Sequence, residues 1–143
     1  AFTMIEMVFV IVILGILASV AIPKFAATRN DAKISKARTD IASIRSSIVT
    51  ERQSRLIKGD STWITELSSY GSNLFGGKDA NSTLLMYGIP AGDANNGWVK
   101  DSETSYDFNL NGDTAVFTYS TANGTFICAS NTLCDKLIKW FVT

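Results

Sequence analysis

The chain has 143 residues, which suits one domain of ordinary size, and 46% of them are hydrophobic. Its net charge of zero hides an uneven division, because residues 1–58 carry +5 and residues 59–143 carry −5. The sequence contains no histidine, which excludes Ser-His-Asp and Cys-His catalysis and histidine-ligated metal sites. The composition therefore predicts two parts, an apolar and basic stalk (residues 1–58, with the apolar segment at 1–23) and an acidic head (residues 59–143).

The segment from Met7 to Pro23 contains no charged residue, and Glu6 is the one charge before it. A helix of this length reaches ~26 Å, close to the ~30 Å hydrocarbon core of a bilayer. Three interpretations are open: a secretory signal peptide cleaved after residues 19–21, a single-span anchor, and a buried core helix. A signal peptide usually starts with positive charge, and a core helix usually keeps a polar stripe. The segment therefore favours a membrane-spanning helix that the mature protein retains.

Glu6 stands just before the uncharged run, and a carboxylate at membrane depth is costly unless a partner offsets its charge. One interpretation places it near the membrane interface, where the free amides of a helix N-terminus favour an anion. The other pairs it with a positive charge on another chain. The α-amino group of Ala1 lies too close along the same helix to pair well, so the amino group of a neighbouring copy is the partner in that case.

The start of the chain resembles the N-terminal signature of type IV pilins and their pseudopilin relatives. The resemblance rests on Phe2, Thr3, Ile5, Glu6, Gly15 and Pro23 at the family's spacing. In that family a prepilin peptidase removes a leader and methylates the new N-terminus, and the apolar helix holds the subunit in the inner membrane until it enters a filament. The resemblance implies that Glu6 neutralises the amino terminus of an adjacent subunit. It also implies that Gly15 and Pro23 bracket a stretch that can lose helix in the filament.

One residue departs from the family pattern. The mature chain of these proteins usually begins with the aromatic residue, whereas here Ala1 precedes Phe2. We expect an already processed N-terminus, with either Ala1 or Phe2 as the methylated residue. The spacing from Phe2 to Glu6 is unaffected.

Beyond Pro23, apolar residues recur at steps of three and four, as they do on one face of a helix. They are Ile34, Ala37, Ile41, Ile44 and Ile48. Because Gly59 is a natural stop, we expect one helix of about 55 residues, kinked or opened at Pro23 where the N–H donor is missing. Asp60 then predicts the cap of a short second helix that extends to about residue 70.

The other faces of this helix carry basic residues, which are Lys33, Lys36, Arg38, Arg45, Arg52 and Arg55. Such a surface can bind nucleic-acid phosphates, but it lacks interleaved aromatic residues, so a nucleic-acid partner is not favoured. We expect a solvated or intersubunit surface, with the acidic heads of neighbouring copies as its partners.

The head contains apolar runs separated by Asn-Gly pairs, which are strong hairpin signals because a type I′ turn needs positive φ at both central residues. The runs at residues 105–110, 115–119 and 125–128 predict a three-stranded antiparallel meander, with a further strand near residues 84–87. The stripe of isoleucines can cover one face of this sheet. The fold class is therefore α+β, with a long N-terminal helix packed on a C-terminal antiparallel sheet.

Cys128 and Cys134 are the two cysteines, and outside the cytoplasm they are expected to form a disulfide. The closed loop is small, so the entropic gain is only about 2 kcal/mol. The bond would pin a C-terminal segment in which Leu133, Leu137 and Trp140 predict a short helix. The resemblance supports the disulfide, since many type IV pilins have one near the C-terminus.

Two kinds of pattern remain, for calcium binding and for glycosylation. Oxygen side chains at alternate positions fit the first half of a calcium loop, at Asp107, Asn109, Asn111 and Asp113, but Thr118 stands where the closing acid should be. A strand running into a hairpin explains the same stretch and is favoured, and residues 92–97 are a weaker calcium candidate. Asn81 matches a glycosylation sequon with an acid two places earlier, and Asn123 matches one inside a predicted turn.

These patterns predict a structural protein rather than an enzyme, with no cofactor unless calcium binds. We expect the subunit of a cell-surface type IV pilus, a homopolymer anchored in the inner membrane before assembly and handled there by the assembly machinery and the prepilin peptidase. A pseudopilin of a type II secretion system is the first alternative, and a membrane-tethered sensor or enzyme is the remote one. Adhesion, motility and DNA uptake are all consistent with the sequence.

Overall fold

The computed structural model describes residues 1–78, 84–129 and 131–139. In chain order the elements are α1 (Met4–Ile57), β1 (Asn73–Leu74), β2 (Ile89–Pro90), β3 (Asn96–Lys100), β4 (Ser105–Leu110), β5 (Asp113–Tyr119), β6 (Phe126–Cys128) and α2 (Thr132–Ile138). The strands form a two-stranded sheet β1-β2 and a four-stranded sheet β3-β4-β5-β6, both antiparallel. The α+β class, with a long N-terminal helix packed on an antiparallel sheet, is confirmed.

The chain divides into two compact units, residues 1–35 and residues 36–143. The first unit contains the N-terminal part of α1, and its large apolar side chains are exposed except for Ile34. The second unit contains the remainder of α1, both sheets and α2. The buried core lies entirely in this second unit.

The predicted length and end of α1 are confirmed. The helix has 54 residues, and Gly59 follows it with φ of 83°. Gly59 N–H bonds to the Leu56 carbonyl (3.0 Å) and Asp60 N–H to the Arg55 carbonyl (2.9 Å), which is the Schellman pattern. The expected opening at Pro23 does not occur, because the proline removes a single bond to the Ser19 carbonyl and the helix continues through it.

The predicted second helix after residue 60 is wrong, and the segment is irregular. Asp60 Oδ1 accepts from the N–H (2.8 Å) and the hydroxyl (2.7 Å) of Thr62, which closes a tight local turn instead of capping a helix. Further along, the Leu67 carbonyl accepts from Gly77 N–H (3.0 Å). The backbone bonds of this segment therefore go to distant residues rather than to the next turn of a helix.

The three-stranded meander is confirmed as β4, β5 and β6, and β3 adds a fourth strand that the sequence did not predict. In β3, Trp98 stands opposite Phe108 of β4. The strand predicted near residues 84–87 is wrong. Leu85 N–H makes one backbone bond to the Phe75 carbonyl (3.0 Å), and regular pairing begins only at β2.

The two Asn-Gly pairs form different turns. Asn111 and Gly112 have φ of 53° and 89°, which confirms the predicted type I′ hairpin between β4 and β5. The second pair lies in a longer loop, where Asn123 Oδ1 accepts from Thr125 N–H (3.1 Å) and only Gly124 has positive φ. A Cβ atom at Gly124 would lie 2.2 Å from the Trp63 ring, so this glycine permits a close approach that a hairpin turn does not explain.

The core forms where α1 meets the inner face of the four-stranded sheet. Ala37, Ile41, Ile44 and Ile48 are buried, as the periodicity predicted, and Ile34 is half-buried in the first unit. Trp98 is at the centre of the sheet's aromatic side chains, with its ring centroid 5.1–6.3 Å from those of Phe75, Phe108, Phe117 and Phe126. Its indole N–H donates to Asp40 Oδ2 of α1 (3.2 Å), which joins the helix to the sheet.

Lys100, the last residue of β3, is a buried cation. Its side chain is 2% exposed, and it pairs with the carboxylate of Glu66 and donates to the Ser68 carbonyl. Its ammonium group also lies 4.0 Å from the ring centroid of Tyr70. Since these three partners belong to the irregular segment after α1, Lys100 fixes that segment to the sheet.

We predict that Lys100→Met lowers the free energy of unfolding by about 3–5 kcal/mol, because it leaves a largely buried carboxylate without its cation. Urea denaturation of the full chain in detergent measures this change. Lys78→Met removes the same charge from an exposed position and should change stability little. The double variant Lys100→Met/Glu66→Leu should recover most of the loss, and an equal effect of Lys100→Met and Lys78→Met would contradict the assignment.

Candidate functional site

The apolar segment of α1 is exposed along its length. Phe2 is 85% exposed and Phe25 is 74% exposed, and the large apolar residues between them are also exposed. Within the described residues, α1 is the one helix long and apolar enough to cross a membrane, judged by length and composition. A long apolar N-terminal helix of this kind is compatible with membrane anchoring.

Glu6 closes a capping box at the start of α1. Its carboxylate Oε2 accepts from Thr3 N–H (2.8 Å) and from the Thr3 hydroxyl (3.0 Å), while Thr3 Oγ1 accepts from Glu6 N–H (3.3 Å). Glu6 Oε1 accepts no hydrogen bond from the described part of the chain. One carboxylate oxygen is thus used locally, and the other is available to a donor on a second molecule.

The other residues that carry the resemblance do not all gather around Glu6. Phe2 lies beside Glu6, and both line a shallow apolar groove. Ala1 precedes the helix and is exposed. Gly15 and Pro23 lie farther along α1, and a Cβ atom at Gly15 would meet nothing within 4 Å. Gly15 therefore leaves a notch in the exposed helix surface.

The predicted disulfide joins Cys128 at the end of β6 to Cys134 in α2, with the two Cα atoms 5.9 Å apart. The predicted C-terminal helix is confirmed as α2, with Leu133 and Leu137 buried. Asn131 caps it by accepting from Cys134 N–H (2.8 Å). Trp140, also expected in this helix, lies outside the described residues.

Several basic side chains in the part of α1 that belongs to the second unit contact other residues of that unit, although a solvated or intersubunit surface was expected. Arg38 donates to the Lys136 carbonyl (2.6 and 3.0 Å), and Arg45 donates to the Phe126 carbonyl (3.0 and 3.1 Å). Arg52 lies over the Trp63 ring, and Arg55 pairs with Glu51 and Asp60. The planar, multiply donating guanidinium group suits these carbonyl and aromatic contacts. Position along a helix face does not predict such long-range contacts.

The calcium candidates lie in a strand and a hairpin. Asp107 and Asn109 belong to β4, Asn111 is in the turn, and Asp113 begins β5. The Asn109 amide is already used, since it donates to the Asp93 carbonyl (3.0 Å) and accepts from Thr114 (2.7 Å). Across residues 1–78, 84–129 and 131–139, no group of three or more His, Cys, Asp or Glu residues is arranged to hold a metal.

The weaker calcium candidate (residues 92–97) and the two glycosylation sequons (Asn81 and Asn123) lie in different parts of the chain. In the segment 92–97, Asp93 Oδ1 accepts from the N–H groups of Asn95 and Asn96 (2.8 Å each), so the carboxylate holds a turn that leads into β3. Asn81 lies outside the described residues. Asn123 uses its side-chain oxygen within its own loop.

Asp107 occupies the side of the four-stranded sheet opposite the core. Its Oδ1 atom is buried and has no hydrogen-bond partner among the described residues. Desolvation, with a smaller contribution from the negative charge of Asp101, raises the pKa of Asp107 above its ordinary value. The fold therefore disfavours the ionised form of this carboxyl group.

We predict that Asp107→Asn raises the melting temperature at pH 7, because the folded chain no longer contains this disfavoured charge. A raised pKa means that the folded state binds the proton more tightly, so wild-type stability falls as pH rises from ~3.9 through the raised pKa. The difference between variant and wild type should therefore shrink as the pH approaches 4. Thermal melts at both pH values test this, with Asp113→Asn, at an exposed position, as the control. A gain that is the same at both pH values would contradict it.

The chemistry that this arrangement supports is association. An exposed apolar helix can enter lipid or pack against similar helices, and the free oxygen of Glu6 can accept from an amine. Comparisons with protein-family models, with curated proteins and with solved structures gave no match to this chain.

Proposed function

We propose that this chain is a structural subunit of an extracellular type IV pilus, held in the inner membrane before it is assembled. The observation that carries the proposal is the exposure of every large apolar side chain in the first 25 residues. Each such side chain contributes about 1.5–3 kcal/mol when fully buried. Membrane lipid satisfies this surface before assembly, and the equivalent helices of other copies satisfy it in the filament.

Glu6 has a different part in this proposal. A single carboxylate adds far less free energy than the burial of many apolar residues. Its contribution is to set the register of neighbouring subunits along their helices. We propose that Glu6 Oε1 accepts from the N-terminal amino group of the neighbouring subunit, which belongs to Ala1 or Phe2. The Thr3 bonds to Oε2 hold the carboxylate in place for that contact.

A pseudopilin of a type II secretion system is the second candidate, since it would need the same exposed apolar helix. The Cys128–Cys134 bond near the C-terminus favours the pilus subunit, because the resemblance associates such a disulfide with pilins. Calcium binding in the head would favour the pseudopilin. Neither candidate assigns a catalytic role or a nucleic-acid partner to the chain.

Electron microscopy of material sheared from the cell surface, with mass spectrometry of its subunit, tests the proposal. We expect long, thin filaments composed of this chain, and an N-terminal peptide that carries a methyl group on Ala1 or Phe2. If the chain stays in the cell envelope and no filaments appear, the pilus assignment is wrong. Loss of protein secretion on deletion of the gene would then support the pseudopilin.

Variants at the capping box separate the charge of Glu6 from its structural role. Glu6→Gln keeps a side chain that can close the box but removes the charge, and Glu6→Ala removes both. We predict that both variants insert into the membrane and yield about tenfold fewer filaments, the loss expected from one charge-assisted hydrogen bond.

Thr3→Ala is the matched control, because it removes the hydroxyl bonds of the cap and leaves both the carboxylate and the backbone N–H of residue 3 that holds it. We expect it to assemble close to the wild-type level. Filament yield is measured by immunoblot of sheared material against total chain. Normal yield from Glu6→Gln, together with a loss in Thr3→Ala, would assign Glu6 to the helix cap alone.

A further inference from the structure

The four-stranded sheet has an outer face, which we define as the side chains pointing away from the aromatic core. Register places Val99, Asp107 and Val116 side by side on β3, β4 and β5, and Thr118 is paired with Ile127 on β5 and β6. All five are at least partly exposed. No described element packs over the centre of this face, so it is an unpartnered sheet surface with an acidic centre and apolar flanks.

Among the residues that the structure describes, no cation is found to influence the carboxyl group at the centre of the outer face. Asp107 Oδ1 is buried without a hydrogen-bond donor, and the nearby charged group that influences Asp107 is another acid, Asp101. A partly exposed carboxylate without a cation is satisfied well by a guanidinium group, a planar cation with several N–H donors. The surface therefore fits an arginine supplied by a partner.

The chain also holds an arginine that lacks a carboxylate. Four of its five arginines, at positions 38, 45, 52 and 55, contact groups in the second unit. Arg29 is exposed and has no partner among the described residues. Lys24 and Lys33 lie on either side of it along α1, with Asp31 as the single acid between them.

We propose that Arg29 of one copy binds Asp107, beside Asp101, on the outer face of a neighbouring copy. This inference rests on the proposed function, because it names the contact that would order the heads once the apolar helices have associated. The guanidinium group would donate to the partly exposed carboxylate of Asp107, and the stem of Arg29 would lie on the apolar flanks at Val99 and Val116.

Charge complementarity favours a second copy as the occupant over an unrelated protein. The stalk carries +5 and the head −5. In an assembly of identical copies, the stalk charges of some copies can therefore be balanced by the head charges of others, without any other partner. An unrelated basic protein would leave Arg29 and its flanking lysines unmatched. The pairing of Arg29 with Asp107 between copies gives each of these two charged groups a partner.

The test uses cells that produce full-length variants in place of the wild-type chain. Filaments are sheared from the surface and quantified against total chain. We expect Arg29→Glu and Asp107→Asn each to lower the yield about tenfold, as for loss of a charge-assisted contact. The charge-exchanged pair Arg29→Glu/Asp107→Lys should return most of the yield.

Two controls have matched charge changes. Lys58→Glu alters the net charge as Arg29→Glu does, and Asp113→Asn alters it as Asp107→Asn does, but neither residue belongs to the proposed contact. Both should assemble normally. Because Asp107→Asn is expected to stabilise the head at pH 7, a loss of filaments in that variant would not reflect misfolding.

The outcomes distinguish this inference from the proposed function. If the wild-type chain makes no filaments, the proposed function and this contact are both wrong. If wild-type filaments form and Arg29→Glu assembles like Lys58→Glu, only the contact is wrong. If both single variants fail and the charge-exchanged pair does not recover, Arg29 and Asp107 act separately, and the pairing is overturned.

Discussion

The second unit depends on the packing of one stripe of α1 against the aromatic face of the sheet. Ile41, Ile44 and Ile48 are buried there, and Trp98 fills the centre of the opposing surface. An antiparallel sheet of four strands needs one covered face, and the helix supplies that cover. No element in the described part of the chain covers the centre of the other face, where Asp107 lies.

Polar contacts set the position of this packing, while apolar burial supplies most of its free energy. Arg38 and Arg45 donate to carbonyl groups of α2 and β6, so each fixes α1 against a different neighbouring element. Lys100 does the same for the irregular segment after α1. The disulfide at Cys128 then joins the last strand to α2. These contacts are directional, so they specify one arrangement among the many that burial alone allows.

Local patterns predicted the elements whose causes are local. The steps of three and four predicted the buried stripe, Gly59 predicted the end of α1, and Asn111-Gly112 predicted the first hairpin. The pairing of β5 with β6 was predicted, but the conformation of the loop between them was not, because at Gly124 it accommodates Trp63 from a distant segment. The partners of Lys100 are likewise thirty or more residues away, so no sequence period predicts their contacts.

The candidate site shows the same division. The signature located Glu6, and the spacing of Thr3 and Glu6 already has the form of a capping box, a signal that the sequence contained. The structure adds which of the two carboxylate oxygens of Glu6 accepts each hydrogen bond. A subunit that had to break its cap to bind a neighbour would lose helix stability at the first turn. Because both Thr3 bonds go to Oε2, Oε1 can accept from another chain while the first turn stays intact. The helix cap and the proposed contact with a neighbouring copy are therefore compatible at this residue.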